Sequence, residues 1–181
     1  WEYYKGVFAG IIIACVIISI GVQMFQNSQL KSLLSIAVVD SNYNHDEQVE
    51  ALQNDFLAYA GTGDKHEVVD VDTSLLSGDD YNAVVKMTVV MGAGTADMMF
   101  CGEETYKKYK QQEAFLSWKE ILGDNYSKYE EYMTDDGRLD LEKCPNWEKY
   151  NMVYYSPVYA VVMSSSKNLE NCIKFLEMMV Q

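Results

Sequence analysis

The longest uninterrupted apolar stretch of the chain lies near its beginning, from Gly6 to Phe25. It contains no charged side chain and a single amide, Gln23. With a rise of about 1.5 Å per residue, a helix of this length spans about 30 Å, the thickness of the hydrocarbon layer of a bilayer. Tyr3 and Tyr4 precede the stretch, at the position of the aromatic belt in membrane proteins. The pattern predicts one membrane-spanning helix.

Two other interpretations of this stretch stay open. A buried core helix can be as apolar, although such a helix normally carries a polar stripe. Ile12-Ile13-Ala14-Cys15 loosely fits the cleavage site of a lipoprotein, with Cys15 as the lipidated residue. However, the apolar stretch continues well beyond Cys15, whereas the hydrophobic part of a lipoprotein signal ends at that site. The pattern therefore favours the membrane helix.

After a polar linker at 26–32, apolar positions alternate between the spacing of strands and that of helices. Leu33–Val39 is a short apolar run rich in β-branched residues, as is typical of a buried strand. The second strand is predicted at Glu67–Asp72, where three valines lie among acidic residues, and the third at Ala96–Cys101. Between the first two, apolar residues recur at helical spacing over Val49–Ala60. The order predicts strands separated by helices.

The stretch from Asp79 to Met91 fits two structures. Its valines and threonine favour a strand, whereas the acidic pair at its start and Gly92 after its end favour a helix. We expect a helix. Further on, the pattern predicts a helix over Glu103–Gln112, a strand in Val153–Met163 and a final helix over Asn168–Val180.

These elements predict an α/β fold. Residues 33–181 are expected to form a three-layer sandwich with a mostly parallel sheet, preceded by the flank and membrane helix in residues 1–25. The chain carries 27 Asp and Glu against 14 Lys and Arg, a net charge of −13, which argues against nucleic-acid binding. With two histidines and no Cys-x-x-Cys pair, we expect neither a metal site nor a cofactor.

Candidate ligand-binding residues follow two of the predicted strands, because ligands of open α/β sheets sit beyond the carboxyl ends of the strands. An amide and an aromatic ring there can hydrogen-bond and stack, and two carboxylates suit a cationic or polyhydroxyl ligand. A simpler interpretation is that the two glutamates only stabilise the N-terminus of the following helix. The candidates are Ser41, Asn42 and Tyr43 after the first strand and Gly102, Glu103 and Glu104 after the third.

Aromatic residues add a second candidate feature in the later half of the chain. Tyr159 is the candidate platform for a sugar or peptide, although such rings more often fill a core. No nucleophile, base and orienting group can be assembled with the spacing of a catalytic arrangement, so the sequence favours a binding protein over an enzyme. The other rings of this region are Trp118, Trp147, Tyr154 and Tyr155.

From Leu33 to about Leu122, the chain resembles the N-terminal lobe of the extracellular solute-binding proteins of bacterial ABC transporters. The final segments resemble the return strand and helix of that family. The matching pieces are Leu33–Val39, Val49–Ala60, Glu67–Asp72, Asp79–Thr95 leading into Ala96–Phe100, Glu103–Lys110, Glu113–Trp118, Val158–Met163, Ser164–Asn168 and Leu169–Met179.

The apolar stretch Gly6–Phe25 predicts a single-pass protein of the cell membrane, although family members are usually lipidated or released. The resemblance implies that the extracellular domain captures a small polar solute, such as a sugar or peptide, for an ABC permease. Family members usually have two lobes that enclose the ligand, whereas residues 33–181 suffice for about one. A single lobe cannot close on a ligand by hinge motion. The alternative is therefore an interaction module that assembles with a membrane transporter or envelope complex and binds no small molecule.

Overall fold

The computed structural model describes residues 12–13, 15–21 and 29–181, and the chain divides into two compact units, Trp1–Lys31 and Ser32–Gln181. In the first unit, residues 15–21 are helical and their isoleucines are exposed. None of the helices in these described ranges is long and apolar enough to cross a membrane. The predicted span Gly6–Phe25 lies in part outside the described residues and stays a prediction.

Strands and helices alternate over most of the second unit. The strands are β1 (Lys31–Val39), β2 (Glu67–Leu75), β3 (Met98–Cys101), β4 (Phe115–Leu116), β5 (Leu139–Asp140) and β6 (Tyr159–Met163). The α-helices are α1 (Asp46–Ala60), α2 (Tyr81–Ala93), α3 (Glu103–Lys110), α4 (Trp118–Leu122), α5 (Trp147–Tyr150) and α6 (Leu169–Val180). Short 3₁₀ helices occupy Gly123–Lys128, Glu130–Tyr132 and Leu141–Lys143.

The strands form one mixed sheet in the order β2–β1–β3–β6–β4, with β5 also paired to β6. β1 and β3 are parallel, with Ile36 opposite Met98. β6 is antiparallel to β3, β4 and β5. The prediction of a mostly parallel sheet was wrong. All five residues of β6 are buried, which gives the continuous apolar pattern typical of parallel strands. That pattern shows only that both faces of the strand are buried, and it does not indicate whether the strand runs parallel or antiparallel to its neighbours.

Helices cover both faces of the sheet. Alternate β1 residues point to opposite sides, so Ile36 and Val38 face one apolar cluster while Ala37 and Val39 face another. The first cluster contains buried residues of α1, α4, α5 and α6, and the second contains those of α2 and α3. The described domain is therefore an α/β sandwich of three layers.

The segment between β4 and β6 folds back onto the first cluster. Trp118, Leu139 and Trp147 all pack there together with Phe100 of β3 and Phe175 of α6. The rings of Phe100 and Trp147 meet edge to face, with their centroids 5.7 Å apart. Because this segment shares the core of the sheet, residues 32–181 form one lobe.

The ambiguous stretch after β2 is helical because side chains and backbone define both of its ends. The Asp80 carboxylate accepts hydrogen bonds from the backbone N–H groups of Asn82 and Ala83, at 3.0 and 3.2 Å. Gly94 follows α2 with a φ of +63°, a left-handed conformation that glycine adopts without strain. These end signals outweigh the preference of valine and threonine for strands, so the prediction of a helix is confirmed.

Replacing Asp80 with alanine is expected to lower the free energy of unfolding by about 1 kcal/mol, because two N–H groups of the first turn lose their acceptor. Asp79→Ala is the matched control. It removes only an exposed carboxylate that pairs with Lys108, and such surface pairs contribute little. Urea denaturation of both variants checks the prediction, and equal losses would show that Asp80 does not cap α2.

Candidate functional site

A groove of about 300 Å³ lies where β1 and β3 end. The two strands are parallel neighbours, so their carboxyl ends reach the same edge of the sheet. Asp40 directly follows β1, and Gly102 directly follows β3. The groove is lined by Asp40, Ser77, Gly102, Glu103, Glu104, Thr105, Tyr155, Ser156 and Pro157.

The charge of this groove has one sign. Asp40, Glu103 and Glu104 contribute carboxylates, and no lysine or arginine is among the lining residues. The Glu104 side chain is exposed to solvent. A protein with a net charge of −13 adds to the negative potential at this edge. The side chains that line the groove are therefore acidic or uncharged.

Asp40 is fixed by its position between β1 and the segment after β2. Its φ of +50° is in the left-handed region, which aspartate adopts more readily than most residues. Its backbone N–H donates to the carbonyl of Leu75 at 2.9 Å, and its carboxylate accepts from the N–H of Ser77 at 3.0 Å. These bonds hold one wall of the groove in place.

Tyr155 forms the aromatic wall of the groove. Its hydroxyl donates to the carbonyl of Phe100 at 3.3 Å, and burial raises the pKa of Tyr155, so the hydroxyl stays protonated. A Cβ at Gly102 would lie 3.2 Å from the ring, so the glycine allows the ring to pack on the backbone after β3. The ring is thus held beside the carboxylates of α3.

Glu103 is held by cations behind the groove. Arg138 donates to it at 2.5 Å and Lys107 pairs with it at 3.0 Å. These hydrogen bonds, that of Arg138 first, lower the pKa of Glu103 to about 2, so its carboxylate is ionised at neutral pH. The guanidinium of Arg138 lies between the rings of Tyr106 and Tyr159, 4.3 and 4.0 Å from their centroids.

Asp136 completes this cluster. Burial alone raises the pKa of Asp136, but hydrogen bonds from Thr134, Arg138 and Lys110 outweigh it and hold the pKa at about 2. Arg138 is only 10 % exposed and donates to both Asp136 and Glu103, so it ties the turn before β5 to the start of α3. The cluster positions Glu103 at the groove.

The structure brings together some of the residues that the sequence analysis singled out. Gly102, Glu103 and Glu104 line the groove, and Tyr159 lies behind it, against Arg138. The other three do not line it: the Ser41 hydroxyl donates to the carbonyl of Thr73, the Asn42 N–H donates to the carbonyl of Met152, and Tyr43 is 95 % exposed.

Sequence reasoning missed Asp40, and it named Tyr155 among the aromatic residues without placing it beside Gly102 and Glu103. Asp40 directly follows a predicted strand, so its place in the chain is a usable signal. Tyr155 reaches the groove from a loop and contacts Phe100 across 55 positions of sequence, a pairing that no local pattern indicates. No group of three or more His, Cys, Asp or Glu side chains in the part of the chain that the structure describes could hold a metal ion.

Two larger depressions have a different character. One, of about 420 Å³, lies beside α1 and α5, where Asp55 is already paired with Lys149 and accepts a hydrogen bond from Tyr150. The other, of about 380 Å³, lies beside the turn Asp135–Gly137 and includes Lys119 among its lining residues. Both have a lysine among their lining residues, Lys149 in the first and Lys119 in the second, whereas the cations that pair with Glu103 do not line the groove.

No protein-family model matches this chain, and a search of curated proteins finds no match to it. The resemblance to solute-binding proteins stays a prediction from sequence.

Proposed function

We propose that this chain is a membrane-anchored extracytoplasmic binding protein whose single lobe captures a polar ligand of the sugar or peptide class. We further propose that the ligand presents an amino or guanidino group to the groove. The observation that carries the proposal is a groove with three carboxylates and no basic lining residue, at the shared carboxyl edge of β1 and β3. Under this proposal the domain lies outside the cell and delivers its ligand to an ABC permease.

The architecture supports the proposal. If the chain resembles solute-binding proteins, Val158–Met163 is the strand that returns to the sheet near the end of the chain. β6 lies between β3 and β4, although it comes last in sequence among the described strands. α6 then follows and packs on the sheet, with Phe175 and Leu176 fully buried. A late strand in the centre of the sheet is consistent with the lobe that the sequence pattern suggests.

The chemistry of the groove sets the expected affinity. Glu103 stays ionised at neutral pH but is paired with Arg138 and Lys107, which offset part of its attraction for a cation. One lobe leaves the ligand open to solvent on one side, so much of its surface stays hydrated. We therefore expect weak binding that weakens further with salt, because a screened surface carboxylate contributes little energy.

We expect Glu104→Gln to weaken the binding of a cationic ligand about threefold to tenfold, because it removes one charge from the groove and keeps the shape of the side chain. The probes are spermidine, a lysine-containing dipeptide, glucosamine and neutral glucose, titrated by calorimetry into the full chain in detergent. Glu50→Gln, on the exposed side of α1, is the matched control and should change nothing. Equal binding of glucosamine and glucose would contradict the proposed preference for an amine.

A second candidate function is an interaction module that joins a membrane transporter or envelope complex without a small ligand. The single lobe favours it, since nothing in the described domain closes over the groove. This candidate would be favoured if none of the four probes binds and a membrane protein co-purifies with the full chain from detergent extracts. Loss of that co-purification in Glu104→Lys would place the partner at the groove.

A further inference from the structure

The outward face of α2 is apolar and uncharged in an acidic protein. Ten large apolar side chains of residues 29–181 are exposed, and four of them lie on this one helix, while the other six are scattered singly. These four are Tyr81 at 81 %, Val84 at 37 %, Val85 at 40 % and Val89 at 55 % exposure. Grouping on one element distinguishes them from ordinary surface residues.

The helical periodicity separates this face from the core. Ala83, Met87 and Val90 are buried and face the sheet. At 100° per residue, Tyr81, Val85, Thr88 and Gly92 form a stripe on the opposite side, flanked by Val84 and Val89. The one charged residue of α2, Lys86, lies to the side and pairs with Asp72 of β2.

The residue types on this face are poor choices for a helix that meets only water. Valine and threonine have lower helix propensity than alanine, lysine or glutamate, and glycine is worse still. Gly92 has an ordinary φ, and a Cβ placed on it would meet no atom within 4 Å. The fold of one copy therefore does not require glycine at position 92. A small residue there would instead allow a second chain to pack closely against the backbone of α2.

The stripe is complementary to itself. If two α2 helices pack antiparallel about a two-fold axis between positions 86 and 87, Tyr81 of one copy lies opposite Gly92 of the other. The same register places Val84 opposite Val89 and Val85 opposite Thr88. The exposed ring of Tyr81 thus meets the position without a side chain, and the stripe brings no charged residue into the contact.

We propose that this chain self-associates through α2, with the stripe of Tyr81, Val85, Thr88 and Gly92 packed antiparallel against that of a second copy. A two-fold symmetric contact requires one surface that fits itself, and this stripe has that property. One short helix is a small interface beside the roughly 800 Å² per partner of a standard complex, so the contact is weak unless the copies are concentrated, as in a membrane. The proposal is independent of the groove.

Disulfide trapping of the full chain tests the proposed register. Cys15 is exposed and the other three cysteines are buried, so Cys15→Ser provides the background. Val84→Cys and Val89→Cys chains with different tags are co-expressed and oxidised in membranes. The expected product is a covalent dimer with both tags, about fivefold more abundant than that from Val84→Cys with Glu50→Cys on the exposed side of α1.

Sedimentation of the full chain in detergent tests the role of the face itself. Gly92→Leu is expected to weaken self-association about tenfold or more without lowering the melting temperature, since the added side chain meets open space in one copy. Val85→Glu should do the same, and Glu104→Gln should not. Added salt should leave the association unchanged or strengthen it, because two acidic copies repel at low salt.

Three results would overturn the proposal: a chain that sediments as a monomer at every concentration and also gives no trapped dimer in membranes, association that Gly92→Leu and Val85→Glu leave unchanged, or trapped adducts that contain one tagged chain and a different protein. The last result would assign the face of α2 to another partner. Because Glu104 is not on α2, failure of the groove proposal and failure of this one give different data.

Discussion

Replacing Trp118 with alanine is expected to lower the free energy of unfolding by about 3–5 kcal/mol, the largest effect of any substitution considered for this protein. Trp118 is fully buried, and its indole N–H donates to the carbonyl of Ala160 at 3.0 Å. The substitution leaves a cavity at the junction of α4 and β6 and removes the partner of a buried carbonyl. A stability loss of this size leaves many domains unfolded at 37 °C.

A second variant separates packing from hydrogen bonding at this position, and a third variant, at an exposed position, is the control. Trp118→Phe keeps much of the ring volume and loses the donor, so we expect a loss of about 1–2 kcal/mol. Tyr43→Ala removes a ring that is 95 % exposed and should change stability by less than about 0.5 kcal/mol. Urea denaturation followed by far-UV circular dichroism measures all three. An alanine variant as stable as the phenylalanine variant would show that Trp118 does not fill the core.

Replacing Arg138 with methionine is expected to lower the free energy of unfolding at pH 7 by about 1–3 kcal/mol. Removing one partner of a buried ion pair costs about 3–5 kcal/mol, but Glu103 and Asp136 are each 35 % exposed, so water can stabilise their carboxylates in the variant. Lys107→Met is the matched control. Lys107 pairs with the same glutamate, but its side chain is 70 % exposed. Its removal should therefore lower the free energy of unfolding by less than about 1 kcal/mol.

The same substitution should change how stability depends on pH. The pKa values of Glu103 and Asp136 are about 2 in the folded chain, against ordinary values of 4.5 and 3.8. Because folding lowers both pKa values, the stability from these carboxylates is fully present above pH 5 and is lost as the pH falls toward 2. Denaturation at pH 7, 5 and 3 should show a steeper loss in the wild type than in Arg138→Met, and parallel losses would contradict the assignment.

The local pattern of apolar and polar residues was enough to predict the strands β1, β2 and β3 and the helices that connect them. β1 and β2 are runs rich in β-branched residues, and α1 ends at a glycine, as the pattern indicates. The direction of β6 could not be predicted, since a strand buried on both faces has the same sequence pattern whether it runs parallel or antiparallel. Nor could β4, whose two residues are too short to show any period.

The candidate site was predictable where it depends on chain order and not where it depends on long-range contacts. Gly102 and Glu103 directly follow a buried strand, which placed them at the groove from sequence. Arg138 follows a turn, and nothing near it in sequence indicates that Tyr106 and Tyr159 enclose its guanidinium. Ser41 and Asn42 also follow a strand, but backbone acceptors from later segments bind their polar groups instead.

The central place of β6 bears on how a ribosome-bound chain reaches this fold. Met98 pairs with Val162 across the sheet, so β3 lacks a partner on that side until synthesis has passed Met163. Until then a nascent chain exposes an apolar strand edge, which is a template for pairing with other chains. Such long-range pairing also slows folding. The centre of the sheet can therefore form only after nearly the whole domain has been synthesised.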